Sequence, residues 1–368
     1  MLIYAALGIA FIIPLVFLFL LNKFDLYGTG RFYINVLTIL CGALAYFLAA
    51  QINPAIINSG LASRSQVVRI TAPILEEFLK ALVLIYLVQR AEFNYVVDGA
   101  IYGFGAGIGF AIIENYEYIT GHPDIAITIA IARVFSTNLI HATASGLIGT
   151  ALAYRRGDSS WRGWMVVLIG YLFAMAFHMG FNTMVSAGTF LIFAITFGFV
   201  GVGLIWFVIK RGLIIQKGWV GEKLGMGDRV TKSEATVVRN IEDLREVLAP
   251  IEKQFGPAKV LIVEEIIRKQ AEIGIKRKLL DTTPSETKRN EIVKIIDTLG
   301  RQMDVLRRQA GSYCMMFVRT VYLEQDVKVW DAINSRVTAS STGQKGGGLW
   351  DLAKSRVPSS KSQEDDQL

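Results

Sequence analysis

The sequence predicts an all-α protein: a polytopic membrane helical bundle of about seven spans, followed by a C-terminal cytoplasmic helical domain. Three observations carry this. Residues 1–209 hold only 10 of the 38 Lys+Arg and 9 of the 31 Asp+Glu, so the two halves of the chain suit different solvents. Apolar runs of about 20 residues recur through the first half, long enough to cross a hydrocarbon layer of roughly 30 Å as helices. Beyond Lys210 the pattern becomes amphipathic, with Val237, Val238, Ile241, Leu244, Val247, Leu248 and Ile251 at helical spacing.

Taken in order, the expected spans are 2–22, 33–51, 70–89, 97–118, 135–154, 165–187 and 189–209. The first has no basic leader and no small-residue cleavage site, so it reads as a retained span and not a signal peptide. The apolar stretch 124–134, with Arg133 near its end, reads as an interfacial or re-entrant piece. In the fourth span Gly99, Gly103 and Gly107 recur every four residues, as do Gly105 and Gly109. That spacing lets helix backbones approach closely in lipid. After the membrane part (1–210), an amphipathic helix ends at Phe255-Gly256-Pro257. Helices over about 258–280 and 285–309 follow, with a fourth from Gly311 to about 333, giving a helical bundle or hairpins over 211–334. From Ser335 to Leu368, Ser, Gly, Lys and Asp dominate and predict a disordered tail.

Charge gives the topology. Lys23, Arg31, Arg90, Arg155, Arg156, Arg162, Lys210 and Arg211 fall in loops on one side, and only Arg64 and Arg69 on the other. The cytoplasmic side carries the excess, which places the N-terminus outside and the C-terminal domain inside a plasma membrane. Most of the net charge of +7 lies in that domain, as suits a position beneath an anionic leaflet. Its basic residues alternate with acids at helical spacing, which argues against a nucleic-acid partner. Cys41 and Cys314 fall in different compartments, so no disulfide is expected.

The chemistry lies in the membrane half. Glu76 and Glu77 precede Lys80 inside an apolar run, and Glu114, His141 and His178 lie in three further spans. Intramembrane ionisable groups face polar cavities and mark function. With 1.5 Å of rise per residue, Glu76 and Glu77 lie roughly 10 Å from the outer end of their span, Glu114 about one turn, His141 about 9 Å and His178 about 13 Å. Asn182 sits one turn above His178. Four helices running alternately up and down thus bring these groups to one level. A carboxylate away from bulk water is a stronger base, histidine can share its proton or bind a metal, and an amide can stabilise an oxyanion. Together these describe hydrolysis of an acyl bond. By contrast, Glu264, Glu265 and Arg268 repeat the two-glutamate pattern on a cytoplasmic helix with no histidine near, and read as a solvated face.

Four elements occur in order in four spans: Glu76-Glu-Phe-Leu-Lys80, Phe110-Ala-Ile-Ile-Glu114, His141-Ala-Thr-Ala-Ser145 and His178-Met-Gly-Phe-Asn182. Together they resemble the PrsW family of intramembrane proteases, itself related to the CAAX-processing type II proteases and bacterial self-immunity proteins. The segment from Asp98 to Asn115 is also similar to the family's fourth-span pattern. The resemblance covers roughly residues 30–190. It implies cleavage of a single-span or membrane-anchored protein, with an anti-sigma factor as the precedent. It also implies that Glu76, Glu77 and His178, then Glu114, His141 and Asn182, are the functional residues, with Glu77 the leading base and Glu76 close behind. Two mechanisms stay open. In one, Glu114, His141 and His178 hold zinc or another divalent metal; in the other, a glutamate and a histidine activate water directly.

Structural readings stand beside these. Glu76 or Glu77 can form a buried ion pair with Lys80 or Arg133, and the histidines can tie helices together by hydrogen bonds. Arg133 is either an interface anchor or a partner of the site carboxylates, and His122 is a turn residue. A non-catalytic membrane scaffold on the same fold is the alternative function. A proton or ion transporter is a weaker one, because the polar set gathers near one surface. The C-terminal domain is expected to recruit a cytoplasmic regulator or to self-associate.

Overall fold

A computed structural model describes residues 1–324 except 29, 159, 189–190, 225–229, 231 and 240–243. Every regular element among these residues is helical. Helix α1 (Leu2–Asn22) is followed by α2 (Phe32–Asn58) and a short α3 (Arg64–Gln66). A π-helical turn (Val67–Thr71) then leads without a break into α4 (Ala72–Leu87). After α5 (Val96–Gly121), a 3-10 turn (Pro123–Ile125) opens the short α6 (Ala126–Val134). Then come α7 (Thr137–Gly157), α8 (Trp161–Ser186) and α9 (Leu191–Lys223). By length and composition, six helical segments among the described residues can cross a membrane. The seventh expected span is α4, which has only 16 residues and gains its reach from the π-turn before it.

Helix α5 is the axis of the membrane part, and its glycines explain why. A Cβ on Gly99, Gly103 or Gly107 would collide with a backbone carbonyl of α7, at Gly149, Ser145 and His141 respectively. On the opposite side, a Cβ on Gly109 would collide with the Ile39 carbonyl of α2, and one on Gly42 with the Ala106 carbonyl of α5. Packing of this closeness drives helix association in lipid, where hydrophobicity contributes nothing. Large apolar side chains such as Phe47, Phe78, Leu172 and Phe207 point outward, as lipid-facing surfaces require.

Two expectations about boundaries change. The last span was expected to end at residue 209, yet α9 continues to Lys223. Its buried residues Ile205, Ile209, Gly212, Gln216 and Val220 keep one helical stripe through Lys210 and Arg211, so charge at the interface does not stop the helix. The expected amphipathic helix around 237–251 is α10 (Lys232–Arg239) and α11 (Leu244–Phe255), the residues between them lying outside the described set. Then follow α12 (Pro257–Thr282), α13 (Glu286–Ala310) and α14 (Ser312–Glu324). Gly256 and Gly311, at φ of +79° and +90°, make the two turns where side chains would be strained. These helices share one apolar core with the end of α9, through Val220, Val247, Ile251, Ile267, Ile292 and Val318. The tail expected over 335–368 lies outside the described residues.

Candidate active site

Helix α4 carries Glu76, Glu77 and Lys80 inward. Pro73 sits in its first turn, where a missing N–H is harmless. Glu77 and Lys80, three residues apart, pair at 2.6 Å with both side chains fully buried. A buried pair is stable only if its remaining hydrogen-bonding capacity is also met. It is met here. Glu77 Oε1 also faces His178 Nδ1 at 2.9 Å, and Ser145 Oγ donates to Glu77 Oε2 at 3.1 Å. Lys80 Nζ reaches His141 Nδ1 at 3.1 Å and stands 4.7 Å over the Phe110 ring.

A second network meets the first at His141. Its Nε2 lies 3.0 Å from Glu114 Oε2, and Arg133 Nη2 donates to the same oxygen at 2.6 Å. Arg133 Nε donates to Asn115 Oδ1 at 2.7 Å, and Asn115 Nδ2 donates to Asn138 Oδ1 at 2.6 Å. The guanidinium also stacks 3.9 Å over Tyr118. Arg133 is therefore a partner of a site carboxylate, Glu114, carried there by α6, whose Ala126, Ala130 and Val134 pack against α1. An ammonium can only donate, so His141 Nδ1 accepts from Lys80 and its proton sits on Nε2, toward Glu114.

Glu76 differs from its neighbour. No described residue donates a hydrogen bond to it, and its nearest polar partner is His178 Nε2 at 3.9 Å. Its side chain is 11% exposed, against 0% for Glu77. The two imidazoles meet edge-on at 4.6 Å.

Five of the six candidate residues come together: Glu76, Glu77, Glu114, His141 and His178. The sixth, Asn182, does not point at them, because its Nδ2 donates to the Val68 carbonyl in the π-turn at 3.0 Å. Sequence reasoning left Ser145 as a motif letter, yet it fills the last oxygen of Glu77. Its spacing from His141, equal to that of Asn182 from His178, was the available signal. Asn115 and Asn138 gave no signal, since buried amides in a helix seam are invisible until the partner helix is placed.

A metal was expected on Glu114, His141 and His178. The group whose ligand atoms all lie within 4.8 Å of one another is instead Glu76, His141 and His178. Glu114 touches that group from outside, its Oε2 shared between His141 Nε2 and the Arg133 guanidinium. Two imidazoles and a carboxylate with room for water form a set that zinc accepts. His178 also has the outer partner such a ligand needs, a carboxylate on its other ring nitrogen. His141 would ligate through Nε2 only as the other tautomer, with its proton on Nδ1 and the Lys80 ammonium turned away from that nitrogen.

The PrsW family of intramembrane metalloproteases matches residues 31–210, which include all of these side chains. Residues 31–210, the membrane part of the chain, thus belong with the PrsW family. Protease PrsW of Bacillus subtilis (strain 168) is 31% identical over 86 residues, 23% of this chain and 36% of that protein. The similarity thus spans about a third of the relative's length. No solved structure matches. PrsW membership and the apolar helices make this a multi-pass membrane protein. The PrsW match ends at residue 210, so α10–α14 lie outside it.

Proposed function

We propose that the chain is an intramembrane protease that hydrolyses a peptide bond of a membrane-tethered protein near the outer face, with Glu76 engaging the attacking water. One observation carries this reading. Of the two glutamates on α4, Glu77 has both oxygens engaged, by Lys80, His178 and Ser145, while Glu76 accepts no hydrogen bond from a described residue and stands beside His178. Glu114 is tied through Oε2 to the Arg133 guanidinium and to His141. The roles follow. Glu76 takes the proton of the water, and His178, oriented by Glu77 through Nδ1, presents Nε2 to the same space. Lys80 and Arg133 hold the flanking carboxylates, and Asn182 fixes the π-turn that leads into α4. Should a divalent ion take part, Glu76, His141 and His178 would hold it, Glu76 then serving as a ligand in place of the free base, and the ion would supply a Lewis acid that makes its bound water acidic near neutral pH. With the N-terminus outside, the substrate is a single-span protein cut in its outer juxtamembrane segment, of the kind an anti-sigma factor presents.

The test is proteolysis in liposomes by purified protein with single-span substrates, comparing wild type, Glu76→Gln and His178→Ala, each with and without chelator. Both substitutions should abolish cleavage, and chelator sensitivity decides whether an ion takes part. Cleavage that survives both places the reaction elsewhere.

One observation favours a second reading, a non-catalytic scaffold: Glu77, Lys80, Ser145 and His178 satisfy one another internally. A scaffold would stabilise its partner equally well with Gln at position 76, whereas the protease would not cut.

A further inference from the structure

Lys276 on α12 is fully buried, outside the membrane part and far from the site. An apolar side chain would fill this core at lower cost, so the charge calls for an explanation. Its Nζ donates to the carbonyls of Ala91 and Glu92, at 2.5 and 3.0 Å. These belong to the turn that ends α4. The adjoining carbonyls of Val88 and Arg90 both accept from Arg156 Nη1 of α7, at 2.5 Å each. Within α4 itself, the Ile85 carbonyl is taken by Gln89 Nε2 and that of Leu87 by the Arg90 amide. Two cations, one from α7 and one from the C-terminal domain, thus close the negative end of the helix that carries Glu76, Glu77 and Lys80.

The grip has more than one point. Glu272, one turn before Lys276, pairs with Arg31 at 2.8 Å, and Arg268 donates to the Leu26 carbonyl at 3.2 Å. Gly28, at φ +62°, leaves the space that the Arg268 guanidinium occupies. The outer end of α4 is held more lightly, by Asn182 on Val68 and by the Tyr171 hydroxyl, which donates to the Ile74 carbonyl at 3.3 Å. Between these ends α4 has no glycine and no proline beyond its first turn, so a shift of its inner end at Leu87, which the clamped turn adjoins, is carried to Glu76 along a stiff rod. The separation along the helix is roughly 16 Å.

We propose that Lys276 is a positioning residue of the membrane site: by holding the turn after α4, the C-terminal domain sets the depth and rotation of Glu76 and Glu77. The effect on turnover rests on the protease reading above; the clamp itself does not. The experiment uses the full chain in nanodiscs, as wild type, Lys276→Met and Lys276→Arg. Hydrogen exchange over residues 84–95 should rise about tenfold or more in Lys276→Met and stay near wild type in Lys276→Arg, with α12 protected in both. On a substrate that wild type cuts, kcat should fall about tenfold or more with KM nearly unchanged, because a displaced catalytic group costs turnover. Lys276→Arg should recover most of it. Unchanged exchange over 84–95 in Lys276→Met overturns the clamp. Raised exchange with unchanged kcat overturns the positioning. If Lys276→Met loses the protection of α12 itself, Lys276→Gln replaces it under the same criteria. If wild type cuts nothing, the protease reading fails and exchange still decides the clamp.

Discussion

Neighbouring residues on an α-helix point about 100° apart, and Glu76 and Glu77 divide on that angle. Glu77 faces Lys80, Ser145 and His178; Glu76 faces the open side of the site. Their substitutions should therefore fail differently. Glu76→Gln should fold normally and lose about 10²–10⁴-fold in cleavage rate. Glu77→Gln leaves the Lys80 ammonium buried against a neutral amide, and removing one partner of a buried pair costs about 3–5 kcal/mol. Thermal unfolding should show that loss, and Lys80→Met added to Glu77→Gln should restore stability without restoring activity. A Glu77→Gln protein as stable as wild type would refute the assignment. The residue types were legible in the sequence because lipid makes ionisable groups conspicuous. Their division of labour was not. Which of two adjacent glutamates is saturated depends on a serine and a histidine from other helices, and Arg133 could not be assigned until α6 folded back beside α5.

At the scale of elements, the α5–α7 seam makes the firmest prediction. Gly103→Ala puts a methyl group against the Ser145 carbonyl and should destabilise by at least about 1–3 kcal/mol, since overpacking cannot relax against backbone. Gly218 on α9 supplies the control, because a Cβ there meets nothing within 4 Å. Gly218→Ala should be neutral or stabilise by up to about 1 kcal/mol. Unfolding midpoints in one detergent compare the two directly, and equal losses would sink the argument. The four-residue glycine spacing announced this seam, and apolar length announced most of the spans. Helix ends were read less well. The stop assigned near Lys210 was a change of solvent, and a helix with a continuous buried stripe passes through such a change. The π-turn before α4 left no trace in the sequence, and its side-chain tie to another span comes from Asn182 of α8, on the Val68 carbonyl.

At the scale of the whole molecule, charge bias predicts an orientation that labelling can check. With Cys41 and Cys314 replaced, a cysteine at Ser63 should react with an impermeant maleimide in intact cells. One at Ser160 should react only after permeabilisation. The reverse pattern would invert the topology and put the site on the cytoplasmic side. The C-terminal domain adds a pH dependence. Burial brings Lys276 down to about 8, while Glu272 pulls the other way and Arg156, Asp98 and Arg31 lie around it. An unfolded lysine titrates near 10.4, so between about 8 and 10.4 the unfolded chain holds a proton that the folded chain has released. Stability from this group should rise with pH across that window and be level below it. Thermal unfolding of wild type should show the slope, and Lys276→Met should flatten it.

The glycines of α5 have one more consequence. Where two main chains touch with no side chain between them, the distance between what they carry cannot be adjusted by exchanging one rotamer for another. Glu114 and His141 ride on such a pair, so their geometry is fixed by the backbone and insensitive to drift elsewhere. Ile74 and Phe78 on α4 and Phe173 on α8, by contrast, face outward. Libraries of apolar residues at those three positions should still yield folded proteins. Libraries randomised at Gly99, Gly103 and Gly107 should yield chains that do not assemble.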